Sequence, residues 1–514
     1  MKRKIIYYFA ATLLVFVLFS SGCTKDFKEI NSNPNSPGIS QAAPNMLLTQ
    51  AIESMTDRVY NIALGGEMGS CWVQHLAKWQ YPDEDRYIPR VTTWNLSWDS
   101  FYAASGYDVQ TIYNIGTTTN NDSYKAVALI LKSYIVSVLT DQFGDVPYTE
   151  AFLGSDAAPI LSAVYDTQES IYVVLLANLT EANTLLTADA PEIGGDILFG
   201  NDLMAWKKFA NSLRLRLLMR QSDRVDPTAA ITAIISDPAT FPIFESNDDN
   251  AALAYLGSAP NNNPINENRK TRDDHRVSNT IIDVMWTNNP NMDYRLPLYA
   301  LRPSAGGWWV GLPNGMNSTD ALNYLGNGGT KTSKLGTYFT AATSPGMLMS
   351  YAELQFILAE AVERGFLTGA KTSEEYYTEG VTGSYYQFGD DLVASNLAIS
   401  ALGIDPSWTI DSLATDYLAT YAAWDPTIAL EQIYTEKWLA MFDQGLQAKF
   451  EWNRTNTPVL IPAIDGQNDG KIPVRGTYPS TEYGTNPTNV AAAVARQGAD
   501  NLNTRVWWDT EDNY

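Results

Sequence analysis

Apolar residues recur at helical spacing in six segments, and this periodicity constrains the fold more than any other feature of the sequence. The segments are residues 44–64, 123–139, 168–187, 202–221, 350–364 and 427–443. In the second segment, for example, Val127, Leu131, Tyr134 and Val138 share one stripe. Apolar residues three and four positions apart lie on the same face of a helix. The chain is therefore predicted to be mainly α-helical, with only a few short strands.

Residues at the ends of these segments support the predicted helices. Asp122 is an expected N-cap, because its carboxylate can accept a hydrogen bond from a free backbone N–H. Gly365 and Gly445 are expected C-caps, because glycine adopts the left-handed conformation that often ends a helix. Small residues such as Ala359 and Ala361 favour close pairing of helices, so we expect helical hairpins stacked in a repeat-like way.

Two long stretches lack this periodicity. Residues 241–345 and 453–514 are rich in Asn, Pro, Gly and Asp, with isolated aromatic residues. Such composition is typical of turns and loops. Long loops inside a compact protein are usually functional. Both stretches are therefore predicted to be loop-rich insertions in the helical body, and the first one is expected to carry ligand-binding residues.

The N-terminus predicts the compartment. Three basic residues, Lys2, Arg3 and Lys4, precede an apolar run over residues 5–19, which small residues then connect to Cys23. This arrangement is typical of a secretory signal peptide over residues 1–22. The run is shorter than the roughly 20 residues of a membrane-spanning helix.

Small residues directly before Cys23 resemble a bacterial lipobox, although Ser20 stands where leucine is usual. We therefore expect cleavage before Cys23 and lipid attachment to its thiol. Several acyl chains would give a durable anchor. The alternative is an ordinary signal peptide with a chance cysteine nearby. Residues 23–40 are rich in Asn, Pro and Ser and are predicted to form a tether, and residues 41–514 form the folded body.

The charge of the chain excludes some partners. Its formal net charge is −23. A surface this acidic repels nucleic acid phosphates and anionic lipid headgroups. Nucleic acid is therefore not an expected partner. Neutral ligands such as sugars meet no such repulsion.

Residues that commonly hold metals or cofactors are few. The chain has 2 cysteines and 2 histidines, so Cys71 is expected to be a small buried hydrophobic residue. Phosphate-binding loops, dinucleotide-binding glycine patterns and zinc-protease motifs do not occur in the sequence. The aspartate pairs at 248–249 and 273–274 lack the spacing of a calcium loop. Neither a metal nor a cofactor is predicted.

Several segments, in this order along the chain, together resemble one protein family. They are residues 26–34, 143–148 (FGDVPY), 206–216, 350–361, 472–475 and 507–509. The chain is identified as resembling the SusD/RagB family of outer-membrane nutrient-binding lipoproteins, and within it the SusD-like family 2 branch. It departs from the family at residues 452–458, where two arginines and a glycine are more common.

The resemblance implies a fold and a role. It implies a right-handed tetratricopeptide-like superhelix of helix pairs, overlaid by long irregular loops. It further implies a surface-exposed lipoprotein of the cell outer membrane that captures oligosaccharide, or in some branches peptide. The implied partner is a SusC-type TonB-dependent transporter, to which the nutrient is delivered.

Candidate ligand-binding residues follow from the chemistry of sugars. A glycan site needs flat apolar rings for sugar C–H groups and polar groups around them. Adjacent tryptophans in a glycine-rich loop cannot easily face one core, so at least one should be exposed. The predicted ligand-binding residues are Trp308, Trp309, Trp79, Tyr81, Arg86, Tyr87 and Asn268.

Other aromatic and basic residues are expected to be structural. Trp94 and Trp98 are four residues apart and are expected to pack instead of binding ligand, and Trp507 and Trp508 should attach the C-terminal segment to the body. Arg214 and Arg216 are expected to be charges on the helix surface or in buried pairs.

Two other functions compete with nutrient binding. A glycoside hydrolase would place two carboxylates about 5 to 10 Å apart. Glu353, Glu360 and Glu363 lie on one predicted helix, but their expected role is structural, and no catalysis is predicted. A scaffold that grips only other proteins is the third possibility. The sequence leaves the choice between glycan and peptide ligands open.

Overall fold

The computed structural model describes residues 43–154, 158–288, 291–369 and 371–510. The predicted signal peptide, Cys23 and the tether over residues 23–40 lie outside the described residues. From Pro44 onwards the chain forms one compact unit. Its buried apolar side chains form one continuous cluster that extends from Leu48 to Trp508.

Helices make up most of the described body. In chain order they are α1 (Pro44–Val59), α2 (Val91–Asp99), α3 (Tyr107–Thr119), α4 (Asp122–Phe143), α5 (Gln168–Leu185), α6 (Leu203–Arg220), α7 (Thr228–Ser236), α8 (Pro264–Arg269), α9 (Asn279–Met285), α10 (Leu296–Tyr299), α11 (Ser318–Asn323), α12 (Gly328–Lys331), α13 (Thr337–Thr340), α14 (Tyr351–Glu363), α15 (Ser373–Tyr386), α16 (Gly389–Leu397), α17 (Ile410–Thr420), α18 (Ala429–Ala440), α19 (Gly445–Thr455), α20 (Ser480–Thr485) and α21 (Pro487–Gln497). Two π-helical segments, Ile62–Ser70 and Ser100–Gly106, come after α1 and α2 respectively.

Strands are short and form four antiparallel pairs in the described residues. They are β1 (Leu76–Lys78) with β5 (His275–Val277), β2 (Val146–Pro147) with β3 (Tyr165–Asp166), β4 (Ala251–Leu253) with β8 (Gly346–Met349), and β6 (Trp286–Asn288) with β7 (Asn291–Met292). In the β1–β5 pair Lys78 opposes His275, which brings residues 79 and 274 together although they are far apart in sequence. The predicted mainly α fold with few short strands is confirmed.

Neighbouring helices pack in pairs. In the first half α3 packs on α4, α4 on α5, and α5 on α6; in the second half α14 packs on α15, α15 on α17, and α14 on α18. The central helix α4 is long and apolar enough to cross a membrane, but 94% of its most apolar window is buried inside the protein. The apolar residues of α4 therefore form part of the protein core.

Buried ion pairs connect these helices. Arg216 on α6 pairs with Glu353 on α14 at 2.5 Å, and Arg454 on α19 pairs with Glu360 on α14 at 2.6 Å. All four side chains are at most 3% exposed. Of the two arrangements expected for Arg216, a charge on the helix surface or a buried pair, the structure shows the buried pair. Glu353 and Glu360 are both committed to arginines, in line with the structural role predicted for them.

Two helix boundaries differ from the prediction. Asn121, not Asp122, caps α4, because its side chain accepts a hydrogen bond from the Tyr124 N–H at 3.0 Å. Gly445 begins α19 instead of ending α18. A Cβ at Gly445 would overlap the carbonyl oxygen of Gly65 and the backbone of Ser70. The glycine is thus required by a close approach to the first π-helical segment.

The two stretches predicted as loop-rich contain short helices. Helices α8 to α13 lie within residues 241–345, and α20 and α21 lie within residues 453–514. Several of them begin at an asparagine cap, such as Asn263 before α8 and Asn317 before α11. Most of these helices have four to seven residues and are too short to show an apolar stripe, which explains why periodicity did not reveal them. Helix α21, with 11 residues, is the exception.

Three of the four tryptophans predicted to be structural are buried, and Trp507 is half-buried. Trp94 and Trp98 are 1% and 6% exposed. Trp508 is fully buried, and its indole N–H donates to Asp141 Oδ1 at 2.7 Å. Cys71 is also buried, as expected.

Candidate functional site

Trp79 comes directly after strand β1 and is held from several sides. Its indole N–H donates to the carbonyl oxygen of Asp273 at 2.6 Å. The guanidinium carbon of Arg276 lies 4.8 Å from the centre of the ring. Gly329 packs closely against the ring, because a Cβ at Gly329 would lie 2.7 Å from the indole. The Trp79 ring is therefore fixed in position while part of it stays accessible.

Tyr81 lies two residues further along and points outwards. It has a φ of +48°, a left-handed conformation that is uncommon for tyrosine. The residue is 65% exposed. The Arg272 guanidinium carbon lies 4.4 Å from the centre of its ring, so one face is covered by a cation and the rest of the ring is open to solvent.

A second group of rings lies in the 301–311 loop and at the start of strand β6. Trp308 packs against Trp286 with 5.1 Å between ring centres, and both are partly exposed. Trp309 packs beneath them and is only 4% exposed, with its indole N–H donating to the Ala300 carbonyl oxygen at 2.7 Å. Arg302 lies 5.5 Å from the centre of the Trp308 ring.

Residues 328–334 connect the two groups of rings. Gly329 lies against Trp79 and its carbonyl oxygen accepts from Arg276 at 2.8 Å. The next residue, Thr330, accepts from the Ala305 N–H at 3.1 Å, in the loop that carries Trp308. We refer to Trp79, Tyr81, Trp286 and Trp308 together as the aromatic surface.

Arginine and lysine side chains surround Asp273 beside the aromatic surface. Its carboxylate lies 2.6 Å from Lys334 Nζ, 2.9 Å from Arg269 and 3.5 Å from Arg276. Burial lowers the pKa of the Arg276 guanidinium to about 10, against the effect of Asp273, so it stays charged at neutral pH. This side of the site therefore carries hydrogen-bond donors, although the protein as a whole is acidic.

Three of the residues predicted to bind ligand support the site from inside. Tyr87 is 3% exposed and its hydroxyl accepts a hydrogen bond from the Ala463 N–H at 2.9 Å. Arg86 donates to the Asp465 carbonyl oxygen at 3.1 Å. Both hold the 463–467 segment against the 82–88 turn. Tyr87, Arg86 and Trp309 therefore have little ring or guanidinium surface left to contact a ligand.

Asn268 lies on the wall of a separate cleft of about 660 Å³ that is lined mainly by polar residues. This polar cleft borders the aromatic surface, because Thr271 lines it and Arg272, the next residue, covers Tyr81. Contacts through Arg272 and through residues 328–334 thus link the segments that carry Trp79, Tyr81, Trp308 and Asn268.

Sequence reasoning missed four residues of this region. Trp286, Arg272, Arg276 and Arg302 were not predicted, because single residues in aperiodic sequence carry no spacing signal. The run at residues 269–276, which contains four arginines or lysines, was the available hint in a chain otherwise poor in cations.

The acidic pairs considered as calcium ligands form ion pairs with lysine and arginine side chains. Asp249 pairs with Lys208, and Asp274 pairs with Arg272. Within the described residues, groups of three or more potential metal ligands do not occur.

Comparison with known proteins connects this architecture to a family. Residues 34–479 match the SusD-like_2 family model, described as "Starch-binding associating with outer membrane". Among curated proteins nothing matches the chain.

Solved structures match over nearly the whole chain. A chitin-binding protein shares 28% sequence identity with a TM-score of 0.75, covering 91% of this chain and 100% of that one. A SusD homologue from Bacteroides fragilis shares 25% identity with a TM-score of 0.73, covering 92% and 100%. A SusD homologue from Parabacteroides distasonis, at 22% identity and a TM-score of 0.76 with coverage of 92% and 99%, has the same fold. The chain belongs to the SusD-like family of binding proteins that associate with the outer membrane.

Proposed function

We propose that this protein captures glycan at the cell surface through its aromatic surface and delivers it to a SusC-type TonB-dependent transporter. The single observation that carries the proposal is the open ring of Tyr81, 65% exposed, two residues from the partly exposed Trp79. Single exposed rings are common on protein surfaces, but several accessible rings in one region are typical of a binding site.

The chemistry of the aromatic surface suits a sugar chain. Sugar rings present C–H groups on their faces and hydroxyl groups around their edges. Trp and Tyr rings match the faces, and Arg272 and Arg302, which lie against Tyr81 and Trp308, supply donors for the hydroxyls. A structural relative at 28% identity is named as a chitin-binding protein, and the family description names starch, which favours glycan over peptide.

The membrane part of the proposal rests on the N-terminal sequence. A lipid on Cys23 would hold the body at the outer membrane, with residues 23–40 as the tether. Delivery to a transporter rests on the family resemblance. Copurification of a barrel transporter with the affinity-tagged protein from detergent-solubilised membranes would support it, and capture of the protein alone would count against it.

Glycan capture can be tested by affinity gel electrophoresis with soluble starch, glycol-chitin and other polysaccharides. At least one polysaccharide should retard the wild-type protein. Trp308→Ala and Tyr81→Ala should each weaken binding at least about tenfold, a loss of about 1.4 kcal/mol or more. Tyr386→Ala, which removes an exposed tyrosine on α15, is the matched control.

The same proteins and polysaccharides should also be assayed for new reducing ends. We expect binding without cleavage, and release of reducing ends would identify an enzyme instead. If every polysaccharide fails and a peptide set binds, the ligand class is peptide. Retention that is unchanged in both aromatic variants would remove the aromatic surface from the site.

A further inference from the structure

The polar cleft beside the aromatic surface is built from α1 and from the segment around α8. It has a volume of about 660 Å³, and polar residues predominate in its walls, among them Ser54, Asp57, Arg58, Asn262, Asn268 and Thr271. None of its lining residues is a tryptophan or tyrosine. Its chemistry therefore differs from that of the aromatic surface.

Arg58 contributes donors that the protein itself does not use. Its Nε donates to Ser100 Oγ at 3.0 Å. Its two terminal amino groups form neither hydrogen bonds nor ion pairs with the part of the chain that the structure describes. Burial lowers the pKa of this guanidinium from its usual value, which reflects a half-buried cation without a bound carboxylate. Two donors are thus presented to the cleft.

Asn262 contributes an acceptor that is likewise unused. The residue is 3% exposed, and its Nδ2 donates to Asn266 Oδ1 and Glu267 Oε2 at 3.0 Å each. Its Oδ1 is buried and has no partner in the described residues. A buried polar atom without a partner destabilises the folded protein. A ligand O–H or N–H that reached this oxygen would remove that destabilisation.

The acidic residues of the cleft are already held in place. Asp57 Oδ1 accepts from the Tyr255 hydroxyl at 2.8 Å. Glu267 pairs with Lys270 and accepts from Asn262. Arg58 and Lys270 balance these two carboxylates, so the cleft has no excess positive charge that would attract an anionic ligand. Its walls present polar and apolar surface in about equal parts, so the best match is a neutral sugar, which carries both hydroxyl and C–H groups.

The cleft and the aromatic surface meet at two consecutive residues of the chain. Thr271 is part of its wall, and the Arg272 guanidinium covers the ring of Tyr81 at 4.4 Å. A polymer bound on the aromatic surface therefore has a polar cleft directly beside it.

We propose that the polar cleft is a second glycan subsite that binds a neutral sugar residue by hydrogen bonds alone. This inference rests on the proposed glycan function. It adds a mode of sugar binding for the cleft next to the aromatic surface. Arg58 and Asp57 would hold adjacent hydroxyl groups, one as donor and the other as acceptor. Asn262 Oδ1 would accept from a hydroxyl or from the amide of an acetamido sugar.

The test is saturation-transfer NMR with maltose and with di-N-acetylchitobiose, each added to the full-length protein. Two variants, Arg58→Met and Asp57→Asn, alter the cleft, and Tyr386→Ala, at an exposed tyrosine on α15, is the control. We expect each cleft variant to reduce the transfer to at least one of the two sugars about threefold or more. Tyr386→Ala should leave that signal intact.

A further variant and a stability measurement exclude trivial explanations. Arg58→Lys keeps the charge but loses the forked pair of donors, so it should resemble Arg58→Met in sugar binding. Thermal melting of each variant separates loss of the subsite from loss of the fold. A variant with a Tm within about 3 °C of wild type is a valid test, and Asp57→Asn replaces Arg58→Met if the latter unfolds.

Each outcome has a defined meaning. If the cleft variants give wild-type signals, the subsite is overturned while the aromatic surface can still bind polymer. If the wild-type protein retards no polysaccharide but transfers saturation to a disaccharide through Arg58 and Asp57, the subsite stands and capture on the aromatic surface fails. If neither sugar gives a signal with wild type, the subsite is overturned, and polysaccharide retardation then decides the proposed function separately.

Discussion

At the scale of single residues, exposure separates side chains that the sequence presents as equivalent. Tyr81 and Tyr87 lie six positions apart in the same turn-rich stretch, yet Tyr81 is 65% exposed and Tyr87 is 3% exposed. Trp308 and Trp309 are adjacent, and only Trp308 keeps part of its ring open. In each pair one ring forms the surface and the other anchors the segment that carries it. The aromatic surface is thus supported by buried aromatic residues directly below it.

Charged residues below the aromatic surface make its stability sensitive to acid. Glu67 is buried and pairs with Lys78 at 2.7 Å and with Arg90 at 3.0 Å. Burial opposes its ionisation, but the neighbouring His275 and the Lys78 ammonium outweigh that effect and lower its pKa from 4.5 to about 2. Because the folded-state pKa is the lower one, this group stabilises the protein fully above pH 4.5 and loses that contribution as the pH falls towards 2.

Glu67→Gln should therefore destabilise the protein by about 3 kcal/mol at pH 7, since it leaves Lys78 with one carboxylate fewer. The difference from wild type should shrink as the pH falls from 4.5 towards 2. Urea unfolding at pH 7 and at pH 3 measures this difference. Glu192→Gln, at an exposed position, is the control, and an equal loss at both pH values would contradict the assignment.

At the scale of helices and strands, buried ion pairs and close backbone contacts position the pairs of helices. Glu360 on α14 is fully buried and accepts from Arg454 on α19 through both carboxylate oxygens at 2.6 Å. Lys437 on α18 reaches the neighbouring Glu451 on α19 at 2.9 Å. These contacts join three helices, of which α14 lies far from the other two in sequence. Buried pairs of this kind favour one arrangement, because each charge left alone would be costly.

Arg454→Met should cost about 3–5 kcal/mol of folding stability, because Glu360 and Glu451 both lose a partner in the interior. Lys371→Met removes a partner from the largely exposed Lys371–Glu379 pair and should cost less than about 1 kcal/mol. Urea denaturation of both variants gives the comparison. Similar losses for the two would show that burial does not decide the strength of these pairs.

Gly445→Ala tests the contact between α19 and the first π-helical segment. The new methyl group would overlap Gly65 and Ser70, so we expect a loss of about 1–3 kcal/mol. Gly484 in α20 has open space around it, and Gly484→Ala should stay within about 0.5 kcal/mol of wild type. Thermal and urea unfolding of the pair would check this, and a neutral Gly445→Ala would show that the helices can separate.

At the scale of the whole molecule, the protein combines an acidic body with a local group of cations. The net charge is −23, while Arg272, Arg276, Arg302 and Lys334 lie near the aromatic surface. This distribution suits a neutral, hydroxyl-rich ligand and disfavours polyanions. An acidic body also has little tendency to bind an anionic membrane by itself, so retention at the membrane should depend on the lipid.

Cys23→Ala should release the protein from the membrane fraction in the native host, because no acyl chain can then be attached. Fractionation with immunoblotting and labelling with a fatty-acid analogue measure the effect. Cys71→Ala is the matched control, because its buried thiol should have no influence on labelling. Membrane retention and labelling that survive Cys23→Ala would rule out the lipid anchor at this position. Polysaccharide binding by purified Cys23→Ala protein should equal that of wild type.

The sequence by itself determined six of the longer helices and the family. Long apolar stripes such as that of α4 specify helices locally, because spacing along the chain is enough to define a buried face. It also identified Trp79, Tyr81, Trp308 and Asn268 as candidates. The tertiary structure alone decided which rings are exposed, and it added Trp286, Arg272 and the unpaired groups of Arg58 and Asn262. The physical reason is that these positions depend on contacts between segments some 200 residues apart, such as Trp79 with Asp273, and local spacing carries no record of such contacts.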